Sequence, residues 1–290
     1  MPELPEVLTT IKQLKPKVIN RKITKIWIDK RTKTENLISK SKTLKLVNRK
    51  IVQITNIGKY LLFHLDNNQT LIIHQKISGH LLFGQFIIKN NCLKPIDNLS
   101  PINDPVNRFI RFGLKFQSNN WMVLSDARRL ARITLTTTDN ISNIKPIKQM
   151  GLDPLSQHWT FVNFSKKLQT HNIAIKTALL SQNIIIGLGN IYSDEVLFKS
   201  QIHPLRKIST LNQDELHKLF KYIPSILQQA IKAGGTTFAT YRTPNGNIGT
   251  YVNFLNVYNR KNQPCKICKY TIQSTKLHGR TTYFCKNCQK

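Results

Sequence analysis

Met1-Pro2-Glu3-Leu4-Pro5-Glu6-Val7 opens the chain, and its chemistry depends on whether Met1 stays. Initiator methionine is normally removed when a small residue follows, which would leave Pro2 as the mature N-terminus. A terminal proline is a secondary amine. Its pKa near ~8, against ~10.4 for a lysine side chain, leaves much of it unprotonated at neutral pH. Such an amine can attack an electrophilic carbon and form an iminium. Two of the chain's five glutamates, Glu3 and Glu6, stand within reach of it. The same residues also read as an ordinary terminal segment with a chance PxxP-like spacing.

Working outward, composition narrows the partner. The 290 residues contain 44 Lys and Arg against 14 Asp and Glu, a formal charge of +30. A field of that sign favours a polyanion, either nucleic acid or an anionic membrane surface. Lys, Asn and Ile are all abundant, as AT-biased coding would make them, so the sign of the charge informs more than its size. No run of about 18 apolar residues could span a bilayer. No basic-then-apolar leader precedes the first turn signals. A monomeric cytoplasmic protein of two domains or one large one, with a sizeable core, is expected, without membrane association.

Four of the five cysteines are paired in sequence as Cys265-Lys266-Ile267-Cys268 and Cys285-Lys286-Asn287-Cys288, with 16 residues between the pairs. Two CxxC knuckles on a short hairpin present four thiolates to one ion, a closed tetrahedral set that suits a single structural Zn²⁺. Two disulfides are the alternative, which a reducing compartment disfavours. Between the knuckles, Lys276-Leu277-His278-Gly279-Arg280-Thr281-Thr282 makes a basic tip able to reach a phosphate. Cys92 stands alone and is given no role.

Short β-rich runs separated by polar turns predict strands at Lys22–Ile28, Lys50–Ile57, Tyr60–Leu65, Thr70–His74, His80–Ile88, 109–117 and 121–125. Helical patterns cover 4–14, 160–170, 172–183, 190–200 and 213–232, with Asn212 to Glu215 as a cap and Pro224 as a kink. The expected fold is α+β. An N-terminal β-sandwich over 1–131 is followed by a linker over 132–152, a helical domain over 153–259 and a zinc-finger β-hairpin over 260–290. A polar, mobile loop is expected at 234–250. Gly187-Leu188-Gly189-Asn190 lacks the strand and third glycine of a dinucleotide fingerprint. It reads either as a simple interhelix turn or as a turn whose glycines admit a phosphate, with Asn190 and a helix N-terminus as donors.

Together these motifs resemble the bacterial formamidopyrimidine-DNA glycosylases, which remove oxidised purines and then cut the strand. The likeness spans the chain in order: Met1–Val7; Gly58-Lys59-Tyr60-Leu61-Leu62; Asp126-Ala127-Arg128-Arg129; Gly189-Asn190-Ile191-Tyr192 through His203-Pro204; Gly234-Gly235-Thr236-Thr237; and the hairpin ending Cys288-Gln289-Lys290. The resemblance implies a helix–two-turn–helix in the second domain and a loop at 234–250 over the damaged base. It implies that Pro2 attacks C1′ of a flipped nucleotide in duplex DNA carrying oxidised purines or abasic sites. Glu3 is then the acid and base, Glu6 stabilises the developing cation, and Lys59 and Arg280 hold flanking phosphates and assist elimination.

The same likeness assigns Asn190 to a phosphate and Arg128 to the gap left by the flipped base; Asn172 is a candidate DNA contact, and Lys176 reads either as another phosphate contact or as a solvated helix lysine. Ile77 stands where the family usually has Met, and Leu130 where it has Phe; both remain apolar wedges. Phe109 and Arg111 lie where DNA-contacting histidines are usual, and Arg111 is expected to replace a phosphate contact. The alternatives are an endonuclease VIII-like enzyme for oxidised pyrimidines, although that group usually begins PEGPE, and a catalytically weak DNA-damage-binding module.

Overall fold

The computed structural model describes all residues except Met1, 30–37, 39 and 97–99. The chain divides into two compact units, Met1–Lys148 with Ala233–Val252, and Gln149–Lys232 with Asn253–Lys290.

In chain order the first unit holds α1 (Leu4–Val18), β1 (Ile23–Ile28), α2 (Lys40–Leu44), β2 (Ile51–Ile57), β3 (Tyr60–Leu65), β4 (Gln69–His74), β5 (His80–Gly84), β6 (Phe86–Lys89), β7 (Cys92–Pro95), β8 (Ile110–Phe116), β9 (Trp121–Ser125), β10 (Arg132–Thr137) and α3 (Lys145–Lys148). Two four-stranded antiparallel sheets form, ordered β1-β8-β9-β5 and β10-β4-β3-β2. Their inward faces share one core with α1, in which Val7 and Leu14 meet Phe63, Leu71, Phe112, Leu124 and Ile133. Burying apolar faces on both sheets is what holds them together.

Two expectations need correcting here. The linker expected at 132–152 opens with a sheet strand: β10 pairs with β4 from Arg132↔His74 to Thr137↔Gln69. Ile133 and Leu135 are buried while Arg132 and Thr134 are exposed, a period-two signature that the surrounding threonines obscured. The expected strand His80–Ile88 breaks after Gly84, where a Cβ would lie 2.6 Å from the Ile102 side chain.

The second unit contains α4 (Phe161–Gln169), α5 (Ile175–Leu180), α6 (Asn190–Ser200), α7 (Gln213–Lys232), and the hairpin β11 (Gln273–Leu277)–β12 (Arg280–Phe284). Buried on nearly every side, α6 includes Asp194 and Glu195 in its interior. Asn212 and Glu215 cap α7 reciprocally, each side chain accepting the other's backbone N–H at 2.9 Å, and the helix continues through Pro224. The expected helical domain 153–259 loses 233–252 to the first unit, because that segment's hydrogen bonds run to α1 and β5.

Candidate active site and nucleic-acid interface

Pro2 is buried immediately before α1, with Glu3 as the helix N-cap. The Glu6 carboxylate accepts the Glu3 backbone N–H at 2.7 Å while Glu3 caps the Glu6 backbone, a reciprocal capping box. Both glutamates are buried. The second Glu6 oxygen, Oε1, accepts the Thr236 backbone N–H at 2.7 Å. The Tyr241 hydroxyl donates to the Glu6 carbonyl at 3.3 Å. Burial, and then the neighbouring Glu6 charge, push the Tyr241 phenol well above its usual range, so it stays a neutral donor. Thus 234–250, expected as a mobile loop, is tied at its base to the capping box beside Pro2.

Lys59 occupies the two-residue turn of the β2–β3 hairpin, where Gly58 takes the left-handed φ of 53° that the turn requires. Lys59 is only 6% exposed. Nearby His74 faces Tyr60 edge-on at 4.5 Å between ring centroids. Its Nδ1 accepts the Lys76 backbone N–H at 3.0 Å, which requires that nitrogen to be unprotonated. Burial, followed by the charges of Lys76, Lys59 and Arg132, pushes His74 down to about 3. A neutral histidine therefore sits among three cations, an electropositive cluster suited to a phosphate.

The expected wedge residues lie on two turns held by one carboxylate. The first is a tight turn, in which Gly79 N–H donates to Gln75 O at 3.0 Å and a Cβ at Gly79 would lie 2.3 Å from that oxygen. It leaves Ile77 40% exposed. The second turn carries exposed Arg128 and Leu130. Buried Asp126 accepts the Ser78 hydroxyl and the Ala131 N–H (2.7 Å), while Arg128 N–H donates to Ser78 Oγ at 3.0 Å. Asp126 and Ser78 therefore fix Ile77, Arg128 and Leu130 in one group. Two exposed aliphatic residues beside an arginine make a hydrophobic wedge with a polar partner.

Arg111 does not fill its expected place. It is buried, its Nη1 pairs with Asp29 at 2.5 Å, and its Nε donates to the Asp126 carbonyl at 3.0 Å. It supports the wedge turn from beneath and is not free for a phosphate. The guanidiniums of Arg108 and Arg111 lie 4.9 and 6.0 Å from the ring centroid of half-buried Phe109. It lines a cavity of about 640 Å³ together with Arg108 and Arg129.

In the second unit, Gln182 braces the α5–α6 turn by accepting the Gly187 N–H and donating to Leu188 O. Asn190 begins α6, and its Nδ2 donates to Thr281 O at 2.9 Å, beside exposed Arg280 at the hairpin tip. An amide nitrogen carries two protons, so one remains for a phosphate. Asn172 is exposed and accepts the Ser209 hydroxyl at 2.9 Å. Lys176 departs from expectation. It is fully buried, and its Nζ pairs with Asp194 at 2.6 Å, so it cannot reach a phosphate. The other Asp194 oxygen accepts the Tyr283 N–H at 3.0 Å, so the pair holds β12 against α6.

The ligand atoms of Cys265, Cys268, Cys285 and Cys288 all lie within 4.8 Å of one another. Cys265 Sγ is 3.9 Å from Cys288 Sγ, and Cys268 Sγ is 3.5 Å from Cys285 Sγ. Sulfurs bound at about 2.3 Å around a tetrahedral zinc stand about 3.8 Å apart, so the residues fit one structural Zn²⁺.

Family models agree with this geometry. The formamidopyrimidine-DNA glycosylase N-terminal domain matches residues 1–133, the formamidopyrimidine-DNA glycosylase H2TH domain 150–242, and the zinc finger found in FPG and IleRS 262–290. The chain belongs to the formamidopyrimidine-DNA glycosylase family. A formamidopyrimidine-DNA glycosylase of Pelotomaculum thermopropionicum is 34% identical over 294 residues, covering 100% of this chain and 99% of the relative. Among solved structures, Lactococcus lactis Fpg bound to abasic-site DNA superposes with a TM-score of 0.85 at 31% identity, covering 99% of each chain. The wild-type Lactococcus enzyme with DNA containing an oxidised pyrimidine gives 0.84 at 30% identity over 100% of each chain.

Within this glycosylase-family chain, five contributors had no role in the sequence reading: Ser78, Asp126, His74, Arg132 and Tyr241. Asp126 stood inside a motif already singled out and Ser78 beside Ile77, but only the fold brings these two turns together. No helix among the described residues is long and apolar enough to cross a membrane.

Proposed function

We propose that this chain excises oxidised purines from duplex DNA and cleaves the resulting abasic site, with Pro2 as nucleophile. The carrying observation is the buried constellation in which Glu6 bridges the Glu3 and Thr236 N–H groups beside Pro2. After Met1 removal the Pro2 amine would sit at the positive end of α1, which favours the uncharged, nucleophilic form. The amine nitrogen bonds to C1′ as the glycosidic C–N bond breaks, and the departing base takes its proton from Glu3. Opening of the C1′–O4′ bond, with a proton delivered to O4′, leaves an iminium that Glu6 stabilises. Loss of a C2′ proton expels the 3′ phosphate, and loss of a C4′ proton expels the 5′ phosphate.

Lys59, with the cations around His74, suits one flanking phosphate, and Arg280 with Asn190 and Asn172 suits others. Loop 234–250 faces the extruded base, and Ile77, Arg128 and Leu130 fill the gap. The protein acts as a cytoplasmic monomer, and its DNA affinity falls steeply with salt.

Borohydride trapping tests this reading. A duplex with 8-oxoguanine opposite cytosine should give a covalent adduct that Pro2→Gly abolishes. No adduct there or on abasic DNA overturns the reading. Adduct only with oxidised pyrimidines selects the second reading, an endonuclease VIII-like enzyme.

A further inference from the structure

Loop 236–250 is anchored twice. Its base meets Glu6 through Thr236 and Tyr241. Its tip meets a different surface: Pro244 O accepts the Phe83 N–H at 2.8 Å, and Asn245 accepts from Lys17 Nζ. Gly246, at a φ of 87°, packs so closely that a Cβ would lie 2.5 Å from the Pro101 carbonyl carbon and the Ile102 nitrogen.

Between base and tip stands Arg242. Its Nε and Nη2 donate to Asp104 Oδ2 at 3.0 and 2.7 Å. Its Nη1 donates to the loop's own carbonyls at Ala239 and Tyr241, both at 2.9 Å. The guanidinium therefore organises the loop and fastens it with the same plane. Asp104 is equally fixed, since its Oδ1 accepts the Val106 N–H at 2.9 Å. That N–H foremost, and Arg242 against the cost of burial, hold its carboxyl below the usual range, so it is charged at neutral pH. The anchored stretch also carries Phe238 and Ile248, 43% and 59% exposed, apolar surface suited to a flat base.

We propose that Asp104 and Arg242 are a positioning pair that latches loop 236–250 over the excision site, setting base removal without taking part in strand cleavage. The inference rests on the reading above, in which this loop faces the extruded base. A base must be clasped to be expelled, whereas an abasic site offers the loop nothing to hold. Opening the latch therefore separates the two activities.

The test uses the full-length, zinc-loaded protein as Asp104→Asn, Arg242→Gln and the charge swap Asp104→Arg/Arg242→Asp. Single-turnover excision of 8-oxoguanine should fall on the order of tenfold in either single variant, a misplacement effect. Cleavage of a preformed abasic duplex should stay within about twofold, and the swap should recover excision. Hydrogen exchange across 236–250 should quicken in the single variants. Unchanged exchange overturns the latch whatever the activities, and equal losses of excision and cleavage overturn it in favour of a general folding role. Failure of the unmodified protein to excise any base, with exchange responding as expected, strikes the functional reading and the latch's role in base removal, and leaves only its hold on the loop.

Discussion

The Glu6 carboxylate and the Thr236 backbone N–H meet at 2.7 Å across 230 positions of sequence. The approach is possible because Gly235 takes a φ of 84°, and a Cβ there would sit 2.7 Å from Glu6 Oε1. Gly235→Ala adds both backbone strain and that clash. It should cost about 1–3 kcal/mol of stability and lower excision more than abasic-site cleavage. Urea unfolding and single-turnover assays check it. An alanine variant with wild-type excision would show that this approach does not matter.

His74 makes the protein acid-sensitive in a defined window. Its folded pKa of about 3 lies below the ordinary value of 6.5. The unfolded chain therefore binds the extra proton first, and stability falls as pH drops below about 6.5 towards about 3. At pH 5 the difference is about 2 kcal/mol. His74→Gln, which still offers an acceptor to the Lys76 N–H, should flatten the slope by about one proton in unfolding measured from pH 7 to 4.

Lys176 separates two accounts cleanly. A phosphate contact would make Lys176→Met weaken DNA binding with a shallower salt dependence and unchanged stability. The fully buried pair with Asp194 predicts the reverse, a loss of about 3–5 kcal/mol from an uncompensated carboxylate. Adding Asp194→Asn should restore part of it, because an amide oxygen still accepts the Tyr283 N–H. Denaturation curves paired with a salt titration of DNA affinity decide between them.

Metal analysis should find one zinc per chain, and a strong chelator should remove it with loss of DNA affinity. Cys265 and Cys285 share a small core with Phe198, Val257 and Ile272, so releasing the metal loosens the hairpin that presents Arg280. Melting of the chelated protein at the untreated temperature would refute a structural role.

Where apolar residues recur with a clear period, as in Gln213–Lys232, or run together between turn signals, as in Tyr60–Leu65, the elements were legible in the sequence. Short motifs with a local mechanism were legible too: the cap at Asn212 and the paired cysteine knuckles. The capping box at Glu3 and Glu6 was not read, because both glutamates stand out only as carboxylates near the Pro2 amine. Arg132–Thr137 escaped because its inward face holds only two aliphatic residues among threonines, a pattern shared with loops.

By itself the sequence determined the chemistry available: a candidate N-terminal amine flanked by carboxylates, four thiolates at zinc spacing, and a surplus of cations. Tertiary structure alone decided that two of those cations serve the fold. Arg111 and Lys176 read as phosphate ligands because charge is a property of the residue. They are structural because their cationic groups lie buried against Asp29 and Asp194, and that pairing is a property of the fold. Likewise, loop 233–252 follows the helical domain in sequence but belongs to the sandwich, since its hydrogen-bonding partners, Glu6, Phe83 and Asp104, reside there.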